Sequence, residues 1–230
     1  MREQYVIITA GGAGVRMGAH LPKQFIELNG LPILFHTINK FISYNHRIKL
    51  VLVLPANQFD FWGKLCQKYE FQQPIELVEG GPTRFHSVKN GLKAVADNAL
   101  VAIHDGVRPL VSINTISEAF NCAEKFGNAI PVLSATESIR KVEGAFNKVI
   151  DRNAIRFVQT PQCFHSEIIK KAYATAHYNE SFTDDATVLE QTGKRIYMVQ
   201  GNKENIKITS PEDLFIAKAL LEFAENYEGQ

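Results

Sequence analysis

Residues 9 to 25 read Thr-Ala-Gly-Gly-Ala-Gly-Val-Arg-Met-Gly-Ala-His-Leu-Pro-Lys-Gln-Phe and follow directly on the apolar run Tyr5 to Ile8. That run predicts a buried parallel strand. Gly11, Gly12 and Gly14 then let the chain turn tightly behind it, with several N–H groups facing one concavity. Arg16 and Lys23 add fixed positive charge, so the stretch suits phosphate oxygens. Spacing rules out the two commoner glycine loops. A P-loop requires a Gly-Lys-Ser/Thr triplet that is absent, and a dinucleotide fingerprint starting at Gly12 requires glycine where Met17 stands. What remains is a third kind of phosphate loop, or a plain strand-to-helix turn with two surface cations. The continuation Pro22-Lys23-Gln24 favours the first.

A strand that feeds a glycine turn is an opening unit of an α/β fold, and the rest of the chain repeats the alternation. Apolar, β-branched runs recur at Lys49 to Leu54, Ile75 to Val78, Leu100 to His104, Ala129 to Leu133 and Ile196 to Val199, with helical segments between them. This predicts a doubly wound, mostly parallel, Rossmann-like sheet in one domain over residues 1–230. Val88, Leu92 and Val95 share a helical face. Ser112 is placed to cap a helix running through Ile116, Ala119, Phe120 and Ala123, and Ser210 with Pro211 starts the last helix. Segment 137–152 departs from the pattern, because Ser138 to Val142 and Phe146 to Ile150 read as two short strands about Glu143-Gly144-Ala145. Such a hairpin either folds onto its own domain or reaches a second subunit.

Hydrophobic residues at 45% and charged residues at 21% are those of an ordinary globular protein, and a formal net charge of +1 supplies no broad field for nucleic acid or an anionic membrane. Partners are therefore expected to be small molecules or further subunits. Cys66, Cys122 and Cys163 are widely spaced and form no Cys-x-x-Cys pair, so neither a disulfide framework nor a zinc site is expected. No apolar run approaches a membrane span, and the short one near Met1 runs into the glycine loop; a cytoplasmic location is the expectation.

In a parallel α/β sheet, ligands collect at the carboxyl ends of the strands, so the residues just after each apolar run carry the chemistry. His104-Asp105-Gly106-Val107-Arg108-Pro109 offers Asp105 and Arg108 for hydroxyls and anionic oxygens, with Gly106 allowing close backbone approach, or else a salt-bridged turn beside a core histidine. Glu79-Gly80-Gly81-Pro82-Thr83-Arg84 and Ser87 offer either a pocket for a flat base or a glycine turn capped by Thr83. Thr183 or Asp184 would cap the helix holding Ala186, Leu189 and Glu190; a metal pair at Asp184 and Asp185 is the weaker reading. Lys207 alternates with Ile206 and Ile208 in a short apolar strand, which turns it to solvent or to the cleft. No nucleophile-and-base pair or Gly-x-Ser-x-Gly elbow is present. Cations, glycines and hydroxyls suit phosphoryl or nucleotidyl transfer, where positioning and charge neutralisation do most of the catalysis.

Taken together, Ala10 to Phe25, Gly80 to Leu92, His104 to Pro109, Asp151 to Asn153, Thr160 to Gln162, Thr183 to Glu190 and Asn205 to Leu214 resemble the 2-C-methyl-D-erythritol 4-phosphate cytidylyltransferase family, in its order and approximate spacing. The resemblance implies a nucleotidyltransferase fold, a homodimer with the hairpin as its arm, and transfer of a cytidylyl group from CTP to methylerythritol phosphate. It implies that Arg16 and Lys23 stabilise the transition state at the α-phosphorus. The backbone of Ala10, Gly11 and Gly12 would hold the nucleotide, with Gly81, Pro82 and Ser87 around the cytosine. Asp105, Arg108, Ser138, Thr160, Thr183 and Lys207 would hold the polyol phosphate, joined by Arg152 from a neighbouring subunit, and Lys207 would bridge the two substrates. Mg²⁺ would arrive on the triphosphate. Ser138 stands where some members have threonine, and Pro82 where others have an acidic residue. The His104 to Pro109 segment is also close to the ribitol 5-phosphate cytidylyltransferases, so the erythritol assignment rests mainly on Thr183 to Glu190. A non-catalytic nucleotide-binding module would have no reason to keep both Arg16 and Lys23.

Overall fold

The computed structural model describes residues 2–12 and 21–227. The chain opens with β1 (Gln4–Thr9), a ribbon of β2 (Glu27–Leu28) and β3 (Leu31–Pro32), α1 (Ile33–Tyr44), β4 (Lys49–Leu54), α2 (Phe59–Lys68) and β5 (Ile75–Glu79). Next come α3 (Arg84–Gly91), β6 (Leu100–Asp105), α4 (Ile113–Phe126), β7 (Asn128–Ser134) and the hairpin β8 (Ile139–Glu143) and β9 (Phe146–Ile150). The chain closes with β10 (Arg156–Val158), β11 (Gln162–His165), α5 (Ser166–Thr175), α6 (Asp185–Glu190), β12 (Met198–Gln200) and α7 (Pro211–Tyr227).

Among the described residues, eight strands form one sheet in the order β10-β7-β11-β6-β1-β4-β5, with β12 also paired to β7. β1 pairs in parallel with both β4 and β6, β5 in parallel with β4, and β12 in parallel with β7. The apolar runs of the central strands β1, β4 and β6 are near-continuous because both of their faces are covered, whereas the edge strand β5 and β12 are largely exposed. Val6, Ile8, Leu50, Leu52, Leu100 and Ala102 face one layer, meeting Leu34, Phe35, Ile38 and Phe41 of α1 and Ile116, Ala119 and Phe120 of α4. The alternate residues Tyr5, Ile7, Val51, Val53, Val101 and Ile103 face the other, meeting Phe85 and Val88 of α3 and Ile169, Ala172 and Tyr173 of α5. Each buried Val, Leu, Ile or Phe contributes about 1.5–3 kcal/mol. This packing of apolar faces, more than helix propensity, holds the helices in place.

The helix starts expected at Ser112 and Ser210 are found. Ser112 Oγ accepts the Thr115 N–H at 3.0 Å, and α4 ends at Gly127, whose φ of +90° a side chain would strain. Ser210 Oγ accepts the Asp213 N–H at 3.4 Å while Asp213 Oδ2 accepts the Ser210 N–H at 2.9 Å, a reciprocal capping box.

The sheet departs from the parallel expectation at β11, which lies antiparallel between β6 and β7, and at β10, antiparallel to β7. The segment around Lys207 is not a strand, although Ile208 is buried and its N–H donates to the Val107 carbonyl at 3.0 Å. The expected hairpin does form, as a two-stranded sheet of its own with Gly144 at φ +64° in its turn. A positive φ at the first central residue is what a II′ turn requires. Its Val142, Phe146 and Val149 are 73%, 82% and 71% exposed.

Candidate active site

Order along the sheet places the site. From β1 the chain steps outward to β4 and β5, then returns to β6 on the other side of β1, and ligands bind at such a switch point, beyond the carboxyl ends of the strands. Two cavities open there. A larger one of about 350 Å³ is lined by Ala10, Gly11, Gly12 and Lys23, by Gly81, Pro82 and Ser87, and by Asp105 and Lys207. A smaller one of about 220 Å³ is lined by Asp105, Arg108, Thr160, Thr183 and Lys207. Arg84, Asp105 and Lys207 line both, so the cavities meet at these three side chains.

On the glycine side, a Cβ built on Gly12 would lie 3.5 Å from Lys23 Cε, so the lysine stem runs across the bare glycine. The buried Gln24 amide donates to the Ala10 carbonyl at 2.6 Å and to Gln58 Oε1 at 2.8 Å, which ties the short turn Lys23–Phe25 to the end of β1. Across the cavity, Gly81 packs so closely on His86 that any Cβ would collide with it. The Gly81 N–H donates to Ser87 Oγ at 3.1 Å, that hydroxyl donates to the Thr83 carbonyl at 3.0 Å, and Thr83 caps α3. The glycine turn and the cap, weighed as alternatives to a base pocket, are thus the means by which this wall is built.

Asp105 is the electrostatic centre. Its Oδ1 lies 3.5 Å from Arg84 Nε, and its Oδ2 lies 3.1 Å from Arg108 Nε and 3.1 Å from Lys207 Nζ. Burial alone would raise its pKa, but Arg84, Lys207 and Arg108 outweigh burial and hold the carboxyl far below the usual range. Arg84 in turn forks onto the fully buried Asp185, with Nη1–Oδ1 at 2.9 Å and Nη2–Oδ2 at 2.6 Å, and Tyr173 donates to Asp185 Oδ1 at 2.7 Å. Burial opposes the charge on Arg84, but Asp185 and Asp105 raise its pKa above the ordinary value.

His104 is the core histidine the sequence implied. Burial pushes its pKa down to about 4, so the ring is neutral. Nε2 faces the Arg108 carbonyl at 3.1 Å, an acceptor only, and therefore bears the proton. Nδ1 is left to accept from the Thr160 hydroxyl at 3.0 Å, and that hydroxyl accepts the Asp105 N–H at 3.2 Å. This chain locks Asp105 and Thr160 together, and the Thr160 proton is already engaged.

Several expectations need correction. Gly106 permits a close approach, but to Thr9 and Ala10 at the end of β1 rather than to a ligand. Asp184 and Asp185 are not a metal pair: Asp184 caps α6 through the Thr187 N–H at 2.8 Å, and Asp185 faces Arg84. Outside these corrections, Arg152, which the resemblance assigns to a neighbouring subunit's site, and Ser138 are exposed and line neither cavity of their own chain; Arg152 Nη1 donates to the Thr136 carbonyl at 2.6 Å. Arg16 and Gly14 lie outside the described residues. Two contributors carried no sequence signal of their own, Arg84 and Gln162; the Gln162 Oε1 accepts the Asp185 and Ala186 N–H groups at 3.0 and 2.9 Å and so pins the start of α6.

Comparison with known proteins gives one consistent answer. Residues 4–223 match the family model described as IspD, 2-C-methyl-D-erythritol 4-phosphate cytidylyltransferase. A relative of that name from Porphyromonas gingivalis is 48% identical over 221 residues, covering 96% of this chain and 98% of the relative. One from Bacteroides thetaiotaomicron is 45% identical over 219 residues, covering 95% and 100%. The crystal structure of a 4-diphosphocytidyl-2C-methyl-D-erythritol synthase from Anaerococcus prevotii superposes with a TM-score of 0.82 at 28% identity, covering 96% of each chain.

Proposed function

The chain belongs to the 2-C-methyl-D-erythritol 4-phosphate cytidylyltransferase family, and from that premise we infer its reaction and the residues that carry it. The enzyme transfers the cytidylyl group of CTP to 2-C-methyl-D-erythritol 4-phosphate. A phosphate oxygen of the polyol phosphate attacks the α-phosphorus in line, the bond to the β-phosphate oxygen breaks, and pyrophosphate leaves with that electron pair. The product is 4-diphosphocytidyl-2-C-methyl-D-erythritol. One observation carries the reading most strongly: two cavities, one walled by glycines and Lys23 and the other by hydroxyls and Arg108, meet at Asp105 and Lys207.

CTP is assigned to the larger cavity, with its base against Gly81, Pro82 and Ser87 and its phosphates along Ala10, Gly11, Gly12, Lys23 and Arg16. The polyol phosphate takes the smaller, against Asp105, Arg108, Thr160 and Thr183. Lys207 stands where the two meet. A third cation on the phosphates matters because charge shifts onto them as the bond to pyrophosphate lengthens. Asp105, the carboxylate where the two cavities meet, already faces three cations and is not assigned to a metal. Mg²⁺ is assigned to the CTP phosphates.

Arg152 and Ser138 are assigned to a site shared between two copies of the chain. The support is the exposure of Val142, Phe146 and Val149 on a hairpin that does not pair with the main sheet, together with the position of Arg152 away from its own cavities. An Arg suits that place because its planar fork binds phosphate bidentately. Cys66, Cys122 and Cys163 are free thiols, in keeping with a reducing compartment, taken to be the cytoplasm. Among the described residues no helix is long and apolar enough to cross a membrane.

A pyrophosphate-release assay tests the reaction. Release is expected from CTP with methylerythritol phosphate and Mg²⁺, and not when either substrate is omitted. Turnover with ribitol 5-phosphate but not with methylerythritol phosphate would overturn the substrate, and equal use of UTP or ATP would overturn the base.

A further inference from the structure

Arg84 is the first residue of α3 and follows directly on Gly81, Pro82 and Thr83 of the larger cavity's wall. Its guanidinium reaches away from that wall. It forks onto Asp185, the first residue of α6, at 2.9 and 2.6 Å, and its Nε faces Asp105 at 3.5 Å. Thr183, which lines the smaller cavity, lies just before α6, whose start is further held by Gln162. One side chain therefore joins the nucleotide wall, the end of β6 and the polyol wall, and it lines both cavities while 29% exposed. Arg84 balances the charge of the fully buried Asp185, while its reach to Asp105 goes beyond charge balance, since Arg108 and Lys207 already face that carboxylate.

We propose that Arg84 is a positioning residue that couples the two substrate sites, setting the Asp105 carboxylate and the start of α6 in the geometry that presents the polyol phosphate to bound CTP. The proposal rests on the two-substrate reading given above. A fork is required because three partner oxygens lie in different directions. Lysine carries the charge as a single point and cannot face Asp185 bidentately and Asp105 at once.

Wild-type turnover of CTP with methylerythritol phosphate is measured first; its failure would overturn the reaction assigned to the enzyme and leave the role of Arg84 a separate matter. With that activity in hand, Arg84→Lys and Tyr173→Phe are compared by steady-state kinetics, thermal midpoint and a single-turnover count of competent sites. Arg84→Lys is expected to lower kcat per competent site roughly 10- to 100-fold, as small misplacements of reacting groups do. The KM for methylerythritol phosphate should rise several-fold while that for CTP stays within about twofold. Tyr173→Phe, which loosens only Asp185, should move the same constants in the same sense by a smaller factor. If Arg84→Lys fails to fold, Asp185→Asn and Tyr173→Phe decide by the same split. Unchanged constants per competent site, a loss explained wholly by fewer competent sites, or a change confined to the KM for CTP would each overturn the proposal.

Discussion

His104 shows how one side chain in this site links chemistry to stability. Its ordinary pKa of 6.5 falls to about 4 in the fold, so between those values the unfolded chain takes up a proton that the folded chain refuses. The stability it contributes is complete above about pH 6.5 and is lost as the pH falls toward 4, roughly 3 kcal/mol in all. Denaturant unfolding of the wild type and His104→Gln across that range should show the wild type's advantage shrinking as the pH drops; a constant difference would contradict the buried neutral ring. Lys23 speaks to catalysis instead. Lys23→Ala is expected to lower kcat by roughly two to three orders of magnitude while altering CTP binding less, because its charge is needed most as pyrophosphate departs. A variant that only raised the KM for CTP would make Lys23 a uniform binding group. At this scale the places of Lys23, Asp105 and Arg108 beside the cavities were legible in the sequence, since glycines and strand ends mark them locally; Lys207 was reached through a strand that does not form. Arg84 was not, because its meaning comes from Asp185, a residue 101 positions away.

Among the elements, the central parallel strands β1, β4 and β6 could be read because both of their faces are buried and their apolar runs are unbroken. β11 could not: four residues behind Pro161, with Gln162 and His165 at its ends, present neither a long apolar run nor a clean alternation. The stretch through Lys207 shows the reverse error, an alternation of Ile206, Lys207 and Ile208 that places side chains as a strand would without any ladder. The hairpin of β8 and β9 was legible from its turn, which does not say what the hairpin packs on. If Arg152 serves a neighbouring subunit, Arg152→Ala and Lys23→Ala chains should each be nearly inactive alone. Mixed at equal amounts with subunit exchange demonstrated, they should recover about a quarter of wild-type activity, as one intact site per heterodimer requires. No recovery under those conditions would return Arg152 to its own subunit.

Across the whole molecule, the doubly wound order brings the ends of β1 and β6 and the loop after β5 to one edge, and the two cavities occupy that edge. The antiparallel β11 then carries Gln162 to the start of α6, which completes the wall of the smaller cavity. Fold and proposed chemistry are thereby joined: on the reading proposed above, a site assembled from distant segments brings two phosphate esters together and requires no covalent intermediate on the protein. Phosphorus-31 NMR of the reaction tests that claim most directly. With CTP, methylerythritol phosphate and Mg²⁺, the spectrum is expected to gain free pyrophosphate and a pair of mutually coupled diphosphate diester signals, one of them coupled to the polyol methylene. Appearance of CMP and pyrophosphate without the coupled pair, or of CDP with no diester, would contradict cytidylyl transfer by this protein.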